Sequence, residues 1–239
     1  MTGSPALPRG PWAMATAAGK DATFALHRAR EEGLDIRWAL NVFEGESGLV
    51  RFHGTPRSLV HAHARALGLE PVFGETDPGR GPDDPDRVDF EEALRECLYR
   101  LREAGACGVL FGNLHLEEIR DWYASRVHGA GLVAHEPLWG IPPAEIARGV
   151  GEAGFRALVI SVNLELGDPS WLGRHLDPEL VSAFEAAGID PAGEHGEYHT
   201  FVHDGPGFHS PVPFRVSGHA EREGHRFLLL DPDELAPSP

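Results

Sequence analysis

Short apolar segments typical of buried β-strands alternate with amphipathic helical segments along the first half of the chain. The helical segments carry apolar residues at three- and four-residue spacing. Because successive parallel strands need a long crossover, usually a helix, this alternation favours a parallel sheet with helices on both faces. The predicted strands are Trp12–Ala18, Ile36–Phe43, Pro71–Glu75 and Gly108–Gly112. The predicted helices are Lys20–Glu32, Pro56–Leu67, Phe90–Ala104 and one that ends at His128.

The alternation ends near Pro137, where we place a domain boundary. We expect a flexible leader over residues 1–11, an α/β domain over 12–136 and a smaller α+β domain over 137–239, with a mobile loop at Pro78–Asp86. The elements predicted beyond the boundary are helices Pro142–Ala153 and Pro178–Ala187, strand Leu158–Asn163, and antiparallel strands Phe214–Ser217 and Phe227–Leu230. A histidine-rich segment lies between the helix Pro178–Ala187 and the strand Phe214–Ser217. Because it contains Gly193, Gly196 and Gly205, we interpret this segment as a loop.

The charge of the chain restricts its partners. The formal net charge is −16 and the pI is about 5.2, which disfavours a nucleic-acid partner because such binding neutralises many phosphates. We find no apolar run long enough for a membrane helix and no secretory signal at the N-terminus. Two cysteines, Cys97 and Cys107, give neither a disulfide framework nor a zinc set. We therefore expect a cytoplasmic protein.

The segment Ala17–Ala22 joins the first predicted strand to the first predicted helix. Free backbone N–H groups at a helix N-terminus favour a bound anion. Lys20 lies in this segment, and it is the only lysine among the 21 cationic residues of the chain. Arginine does not replace lysine equivalently at a phosphate site. A plain tight connection between strand and helix explains the segment alone equally well, but the single retained lysine favours a phosphate site.

Four segments carry a resemblance to a known family. Ala17–Ala22 resembles the Ser-Gly-Gly-x-Asp-Ser signature of PP-loop ATP pyrophosphatases. Phe111–Trp122 is similar to a Phe-Gly-Asp-Ile stretch that is followed by Arg and Trp, and Pro137–Trp139 matches a Pro-Leu-Trp element. Gly196–Phe208 resembles Gly-Glu-Phe-His-Thr-Phe-Val-x-Asp-Gly-Pro-Leu-Phe. Together these segments resemble the diphthine–ammonia ligase family, over about Trp12 to Phe208.

The resemblance implies a Rossmann-like nucleotide-binding domain of the adenine nucleotide alpha-hydrolase-like superfamily, followed by a substrate-binding domain. It implies an ATP-dependent ligase that adenylates a carboxylate, diphthine or another acceptor, and couples it to ammonia with release of AMP and pyrophosphate. ATP and Mg²⁺ are the implied cofactors. The implied nucleotide-binding residues are Ala17, Ala18, Gly19, Lys20, Asp21, Ala22, Asn41, His53, Gly112 and Asn113.

The loop departs from the family pattern. Ala17 and Ala22 stand where the family has serines, and Asn113 stands where it has aspartate. Ala18 replaces a glycine, which costs about 1–2 kcal/mol if that position has a positive φ. A second hypothesis is therefore a non-catalytic adenine-nucleotide sensor. An RNA-thiolating relative is disfavoured, because it needs a basic face and a reactive cysteine.

The histidine-rich segment supplies the other candidate residues. We expect Glu197 to hold ammonium and His199 or Glu197 to accept its proton. The candidate catalytic residues are Lys20, Asp21, Glu197, His199 and Thr200, and the candidate substrate-binding residues are Glu197, Thr200, Asp204 and Gly205. Stabilisation of a tight turn is the alternative role for these polar side chains.

No protein-bound transition metal is predicted. His195, His199 and His203 share one face only if the segment is helical, and its β-type residues argue against a helix. We expect Mg²⁺ to arrive with the nucleotide phosphates. The expected partners are the nucleotide, the carboxylate acceptor and ammonia, with no membrane, and a homodimer is one possible assembly.

Overall fold

The computed structural model describes residues 7–45, 47–50, 53–77 and 88–233. Five of its strands form a parallel sheet, which confirms the predicted α/β class. The sheet order is β3-β2-β1-β4-β5. The strands are β1 (Pro11–Ala15), β2 (Asp35–Phe43), β3 (Glu70–Glu75), β4 (Gly108–Leu110) and β5 (Val133–His135).

Four helices connect these strands, and they are α1 (Lys20–Glu31), α2 (Arg57–Ala66), α3 (Phe90–Glu103) and α4 (Glu117–Gly129). The chain winds outward from β1 to β3 and then returns to the other side of β1 with β4. Strand order thus reverses beside β1. In open parallel sheets, ligands bind at such a switch point, outside the carboxyl ends of the strands.

The alternation of side chains along β1 explains why both faces of the sheet are covered. Trp12 and Met14 point to one face and pack in a cluster with Leu26 of α1, while Ala13 packs on the other face with Leu98 of α3. Successive strand residues point to opposite faces. An apolar run on β1 therefore requires a helix layer on each side.

The second half of the chain forms a four-stranded antiparallel sheet of order β7-β6-β9-β8 with two further helices, an α+β arrangement. The helices are α5 (Pro143–Glu152) and α6 (Pro178–Ala187), and a short 3₁₀ helix covers Pro169–Trp171. The strands are β6 (Arg156–Asn163), β7 (Tyr198–Asp204), β8 (Phe214–Arg222) and β9 (His225–Pro232).

The antiparallel sheet packs on the α1 and α2 side of the parallel sheet. Leu26 of α1 shares a buried cluster with Val159 and Tyr198, and Leu59 of α2 shares another with Phe201. A backbone hydrogen bond from Val202 to Ala18 also joins β7 to the loop after β1. This packing brings the histidine-rich segment against the N-terminus of α1.

Several expected boundaries were wrong. The histidine-rich segment is not all loop, because β7 occupies Tyr198–Asp204 and pairs with β6. Its glycines flank the strand and leave its interior intact. The first strand ends at Ala15, β4 ends at Leu110, and α2 begins at Arg57 with Pro56 as its N-cap. The short strand β5 was not predicted.

Some predictions fall outside the described residues. These include the loop at Pro78–Asp86 and most of the leader. Within the described ranges, no helix is both long enough and apolar enough to cross a bilayer. Cys97 and Cys107 are free, and burial raises the pKa of each thiol, so that neither is an activated nucleophile.

Candidate functional site

A cavity of about 440 Å³ lies at the carboxyl ends of β1, β2 and β4, beside the switch point of the parallel sheet. Its size is in the range of small-ligand sites. Eight of the ten residues predicted to bind a nucleotide line it, and these are Ala17, Gly19, Asp21, Ala22, Asn41, His53, Gly112 and Asn113. Ala18 and Lys20 do not line it.

The rest of the lining is largely apolar, and sequence reasoning missed it. These residues are Ala15, Thr16, Leu40, Val42, Val50, Phe90, Leu94, Phe111 and Tyr123. The rings of Phe111 and Tyr123 lie 4.9 Å apart between centroids. Side chains of this kind are typical of core residues, so that nothing in their sequence pattern distinguishes cavity walls from core.

The loop between β1 and α1 is a tight turn. Ala18 has a φ of 63°, so that the position which the family fills with glycine does require a left-handed conformation. Its backbone N–H donates to Thr16 Oγ1 over 2.9 Å, and its carbonyl oxygen accepts from Val202 N over 2.8 Å. These bonds hold the loop between β1 and β7.

The N-terminus of α1 faces the cavity through Asp21 and Ala22. The first N–H groups of a helix have no acceptor within the helix. Lys20 N donates to Thr200 Oγ1 of β7 over 3.0 Å, and the first helical bond runs from Thr23 N to Gly19 O. Among the described residues, the N–H of Ala22 therefore remains for a ligand, whereas the N–H of Asp21 interacts with its own carboxylate.

Gly112 allows β4 to approach this helix end closely. A Cβ atom at Gly112 would lie 2.6 Å from the backbone nitrogen of Ala22, closer than real Cβ atoms come to other heavy atoms. Any side chain at position 112 would have to displace the start of α1.

Lys20 is buried, with 3% of its surface exposed, and it is not among the residues that line the cavity. Its Nζ donates to Asp21 Oδ1 and Oδ2 over 2.9 and 2.7 Å and to the carbonyl oxygen of Ala192, and it lies 5.2 Å from the centroid of the Tyr198 ring. Burial lowers the pKa of Lys20, but the charge and hydrogen bonds of Asp21, together with Tyr198 and Glu194, outweigh burial, so that the pKa is raised and the amine is charged. The only lysine thus ties α1 to the loop before β7.

Two histidine rings stack beside the cavity. The centroids of His53 and His199 lie 4.2 Å apart. Burial, together with Lys20, lowers the pKa of His53 to about 4, and burial holds the pKa of His199 well below its usual value. Both rings are therefore neutral at pH 7.

Two polar atoms of the cavity lining, His53 Nδ1 and Asn41 Nδ2, are buried and have no hydrogen-bond partner among the residues that the structure describes. Asn41 Oδ1 already accepts from the N–H of Val42 over 2.7 Å. Buried polar atoms are normally paired. These two atoms therefore point to a polar ligand.

The candidate residues Glu197 and Thr200 of the histidine-rich segment make hydrogen bonds that stabilise the fold. Glu197 is 4% exposed, and its two oxygens accept from Asp190 N and His195 N over 3.1 and 3.0 Å. Thr200 binds the start of α1, as described above. Glu197 thus shapes the loop 190–196 instead of presenting a free carboxylate.

Asp204 and Gly205 lie at the other end of β7. Asp204 Oδ1 accepts from Gly205 N over 2.8 Å. This contact stabilises a turn, which is the alternative to the predicted substrate-binding role of Asp204. Asp204 lies four residue steps beyond Thr200 along the strand, about 13 Å at the usual rise. The structure therefore does not bring Asp204 and Gly205 to the cavity.

Glu194 is a residue that sequence reasoning missed. Burial raises its pKa to about 7, and the neighbouring carboxylates Asp21 and Asp190 add to the increase. A perturbed carboxyl beside the start of α1 is typical of a functional site. In the sequence, only its position between Gly193 and His195 could have marked Glu194 as a functional candidate.

Comparison with known proteins gives two family matches. Residues 12–133 match the model described as "Diphthamide synthase N-terminal domain", and residues 142–226 match "Diphthamide synthase C-terminal domain". No curated protein matches the chain. A solved structure of Rhizobium etli pyruvate carboxylase aligns at 12% identity and a TM-score of 0.29, over 95% of this chain and 24% of that one. The chain thus spans about a quarter of that enzyme, and this similarity carries no argument.

Proposed function

Because the chain belongs to the diphthamide synthase family, we propose that it is an ATP-dependent ligase that adenylates a carboxylate and joins it to ammonia. The acceptor is diphthine or another carboxylate, and the by-products are AMP and pyrophosphate. The observation that carries the proposal is the cavity at the switch point, whose lining includes eight of the ten residues that the family resemblance implies for the nucleotide. We assign nucleotide binding to residues 12–136 and acceptor binding to 137–239.

The N-terminus of α1 is the proposed phosphate end of the cavity. The N–H of Ala22 is left without a helical acceptor, and the helix dipole adds positive potential there. Gly112 brings β4 against this turn and closes the wall behind the phosphates. Lys20 influences the phosphate end only indirectly, because its amine donates to Asp21 and to the carbonyl oxygen of Ala192.

The apolar part of the cavity is the proposed purine end. Leu40, Val42 and Phe111 supply flat apolar surface, and Asn41 Nδ2 and His53 Nδ1 are the unpaired polar atoms beside it. A purine presents both ring faces and polar edges, which suits this combination. We propose that the amide of Asn41 reads a polar edge of the base.

Mg²⁺ fits the same site as a companion of the phosphates. Asp21 is the only carboxylate among the lining residues that the structure describes. Mg²⁺ commonly takes one or two protein carboxylates and leaves its other positions to phosphate and water. Both oxygens of Asp21 already accept from Lys20 Nζ, so that Asp21 could hold the ion only with an oxygen that it shares with Lys20, and the phosphates would supply the other ligands. When bound, the ion would neutralise phosphate charge.

The proposed reaction has two steps. A carboxylate oxygen of the acceptor attacks the α-phosphorus of ATP, and the bond to pyrophosphate breaks. Neutral ammonia then attacks the acyl carbon, AMP leaves with the electron pair of the acyl–oxygen bond, and the nitrogen loses one proton to solvent as the amide forms. The uncharged rings of His53 and His199 suit this site, because they accept or donate hydrogen bonds without adding charge beside the nucleotide.

The sensor hypothesis rests on the loop. Ala17 and Ala22 line the cavity where the family pattern has serine hydroxyls, so that two potential phosphate ligands are missing. Such a site would still bind a nucleotide through the N-terminus of α1. Binding without turnover is the expected behaviour of a sensor.

A product assay separates the two functions. The protein is incubated with ATP, Mg²⁺ and ammonium in the presence of a panel of carboxylates, and AMP and pyrophosphate are quantified. The ligase proposal predicts equal amounts of both products with at least one acceptor. Nucleotide binding without AMP for every acceptor, in the native protein and in the Ala17→Ser/Ala22→Ser variant, would contradict it. Turnover only in the serine variant would identify the native protein as a sensor with a degenerate loop.

A further inference from the structure

Three side chains from two loops meet beside the start of α1. His115 lies in the loop after β4, and Asp190 and His195 lie in the loop before β7. One ligand atom of each side chain lies within 4.8 Å of the others. In the described part of the chain, this is the one group of three metal-ligating side chains so arranged.

The distances suit a small cation. His115 Nε2 lies 3.5 Å from Asp190 Oδ2, and the ring centroids of His115 and His195 lie 5.8 Å apart. Ligand atoms about 2.0–2.2 Å from a tetrahedral Zn²⁺ are about 3.4 Å from each other. The first pair already has about this separation, and the third ligand atom, on the exposed His195, lies within 4.8 Å of both.

The loop holds the acidic ligand in place. Asp190 Oδ1 accepts from Ala192 N over 2.8 Å, which leaves Oδ2 toward His115. The side chain of Asp190 is only 8% exposed. Glu197 accepts from the backbone N–H groups of both Asp190 and His195 and so fixes the two ligand-bearing residues relative to each other.

His115 has no competing polar partner. Its Nδ1 is buried and makes no hydrogen bond, and its Nε2 faces Asp190. The ring is therefore free to ligate through Nε2 without breaking another interaction.

We propose that His115, Asp190 and His195 bind a divalent transition cation of the Zn²⁺ class, with one coordination position left open. Imidazole ligands suit Zn²⁺ and its neighbours, whereas Mg²⁺ prefers oxygen ligands alone. Three protein ligands with an open position are typical of zinc sites that bind a further molecule. None of the three residues lines the cavity, so that this site is separate from the proposed nucleotide site.

Metal binding by the full chain tests the proposal without nucleotide or turnover. After removal of bound metal with a chelator, Co²⁺ is titrated while visible absorption is recorded, and Zn²⁺ content is measured after dialysis. The expected result is one metal per chain, with the intense Co²⁺ bands of tetrahedral coordination. His195→Ala and Asp190→Asn should each weaken binding at least tenfold. His219→Ala, which removes an exposed histidine of β8, should bind like the native protein.

Unchanged affinity in His195→Ala would overturn the proposal, and so would an absence of saturable binding. Either outcome would leave His115 and Asp190 as an ordinary ion pair. Because the His195 side chain is exposed, its removal should not disturb folding, and circular dichroism checks this. The experiment uses no ATP, so that failure of the proposed ligase reaction would not affect it.

Discussion

At the scale of single residues, Lys20 shows what a sequence pattern can and cannot reveal. Its uniqueness indicated that arginine is unsuitable at this turn, which its burial explains. The contact that it makes was not predictable, because Ala192 lies 172 residues away along the chain. Lys20 joins the two halves of the molecule and acts on the cavity only through the loop.

Replacement of Lys20 by Met should destabilise the protein by about 3 kcal/mol, since it leaves Asp21 as an unpaired, largely buried carboxylate. Lys20→Arg should also destabilise, by about 1–3 kcal/mol, because the larger guanidinium must enter a fully packed space. Urea unfolding measures both values. The double variant Lys20→Met/Asp21→Asn should recover part of the loss, and a Lys20→Met protein as stable as the native one would refute the buried pair.

The two threonines Thr200 and Thr55 form a matched test of buried hydroxyl groups. Thr200 Oγ1 accepts the hydrogen bond from Lys20 N, whereas Thr55 Oγ1 has no partner, and both residues are buried. Thr200→Val should cost about 1 kcal/mol, the usual worth of a helix cap. Thr55→Val should be neutral or stabilising, because it removes an unpaired polar atom. Equal losses in the two variants, measured by urea unfolding, would show that Thr200 does not cap α1.

At the scale of elements, four strands and four helices of the parallel sheet were predicted in the right places, although not with the right ends, because each carries its own periodicity. β7 was missed since its flanking glycines, Gly193, Gly196 and Gly205, were read as part of one flexible segment. The strand forms because Tyr198, Phe201 and Val202 bury their side chains against neighbouring helices. That burial depends on the tertiary fold and leaves no mark in the local pattern.

The β8–β9 hairpin offers a prediction at this scale. Arg222 pairs with His225, so that Glu223 and Gly224 form a two-residue turn with φ values of 50° and 75°. Asn-Gly suits such a turn better than Glu-Gly. Glu223→Asn should raise the stability by about 0.5–1 kcal/mol in urea unfolding. Glu223→Val, which is β-branched, should lower it, and the opposite order would contradict the turn geometry.

At the scale of the whole molecule, the cavity residues of the parallel sheet were largely predictable and those of the second half were not. The family motifs place Gly19, Asp21 and Gly112 at the ends of neighbouring strands, and parallel topology brings these ends together. Thr200 instead accepts from the backbone N–H of Lys20, which is 180 residues away, and Glu197 accepts from backbone N–H groups of its own loop. Sequence motifs identified these residues, but only the packing of the two sheets defines their roles.

Buried neutral histidines should make the stability of the whole molecule fall in acid. Burial lowers the pKa of His63 to about 3, and its Nε2 lies 3.1 Å from Thr23 Oγ1, whose hydroxyl donates to Gly19 O. Because the unfolded chain takes up this proton near pH 6.5, the contribution is complete above pH 6.5 and is lost as the pH falls toward 3. Burial likewise lowers the pKa of His53 and His203, each to about 4.

His63→Gln should therefore reduce the slope of unfolding free energy against pH between 6 and 4. The expected reduction is about 1.4 kcal/mol per pH unit, the value for one proton. Urea unfolding at several pH values gives the slopes. His219→Gln, at an exposed position, serves as the control and should keep the native slope.

The central claim, that the cavity beside β1, β2 and β4 binds an adenine nucleotide, is tested most directly by calorimetric titration with Mg·ATP. We predict saturable binding of one ATP per chain and at least tenfold weaker binding by Asn41→Leu, which removes the unpaired amide of the lining. Asn163→Leu, the same substitution at the end of β6 and outside the cavity, should bind ATP like the native protein. No heat of binding with the native chain, or native affinity in Asn41→Leu, would contradict the assignment of this cavity.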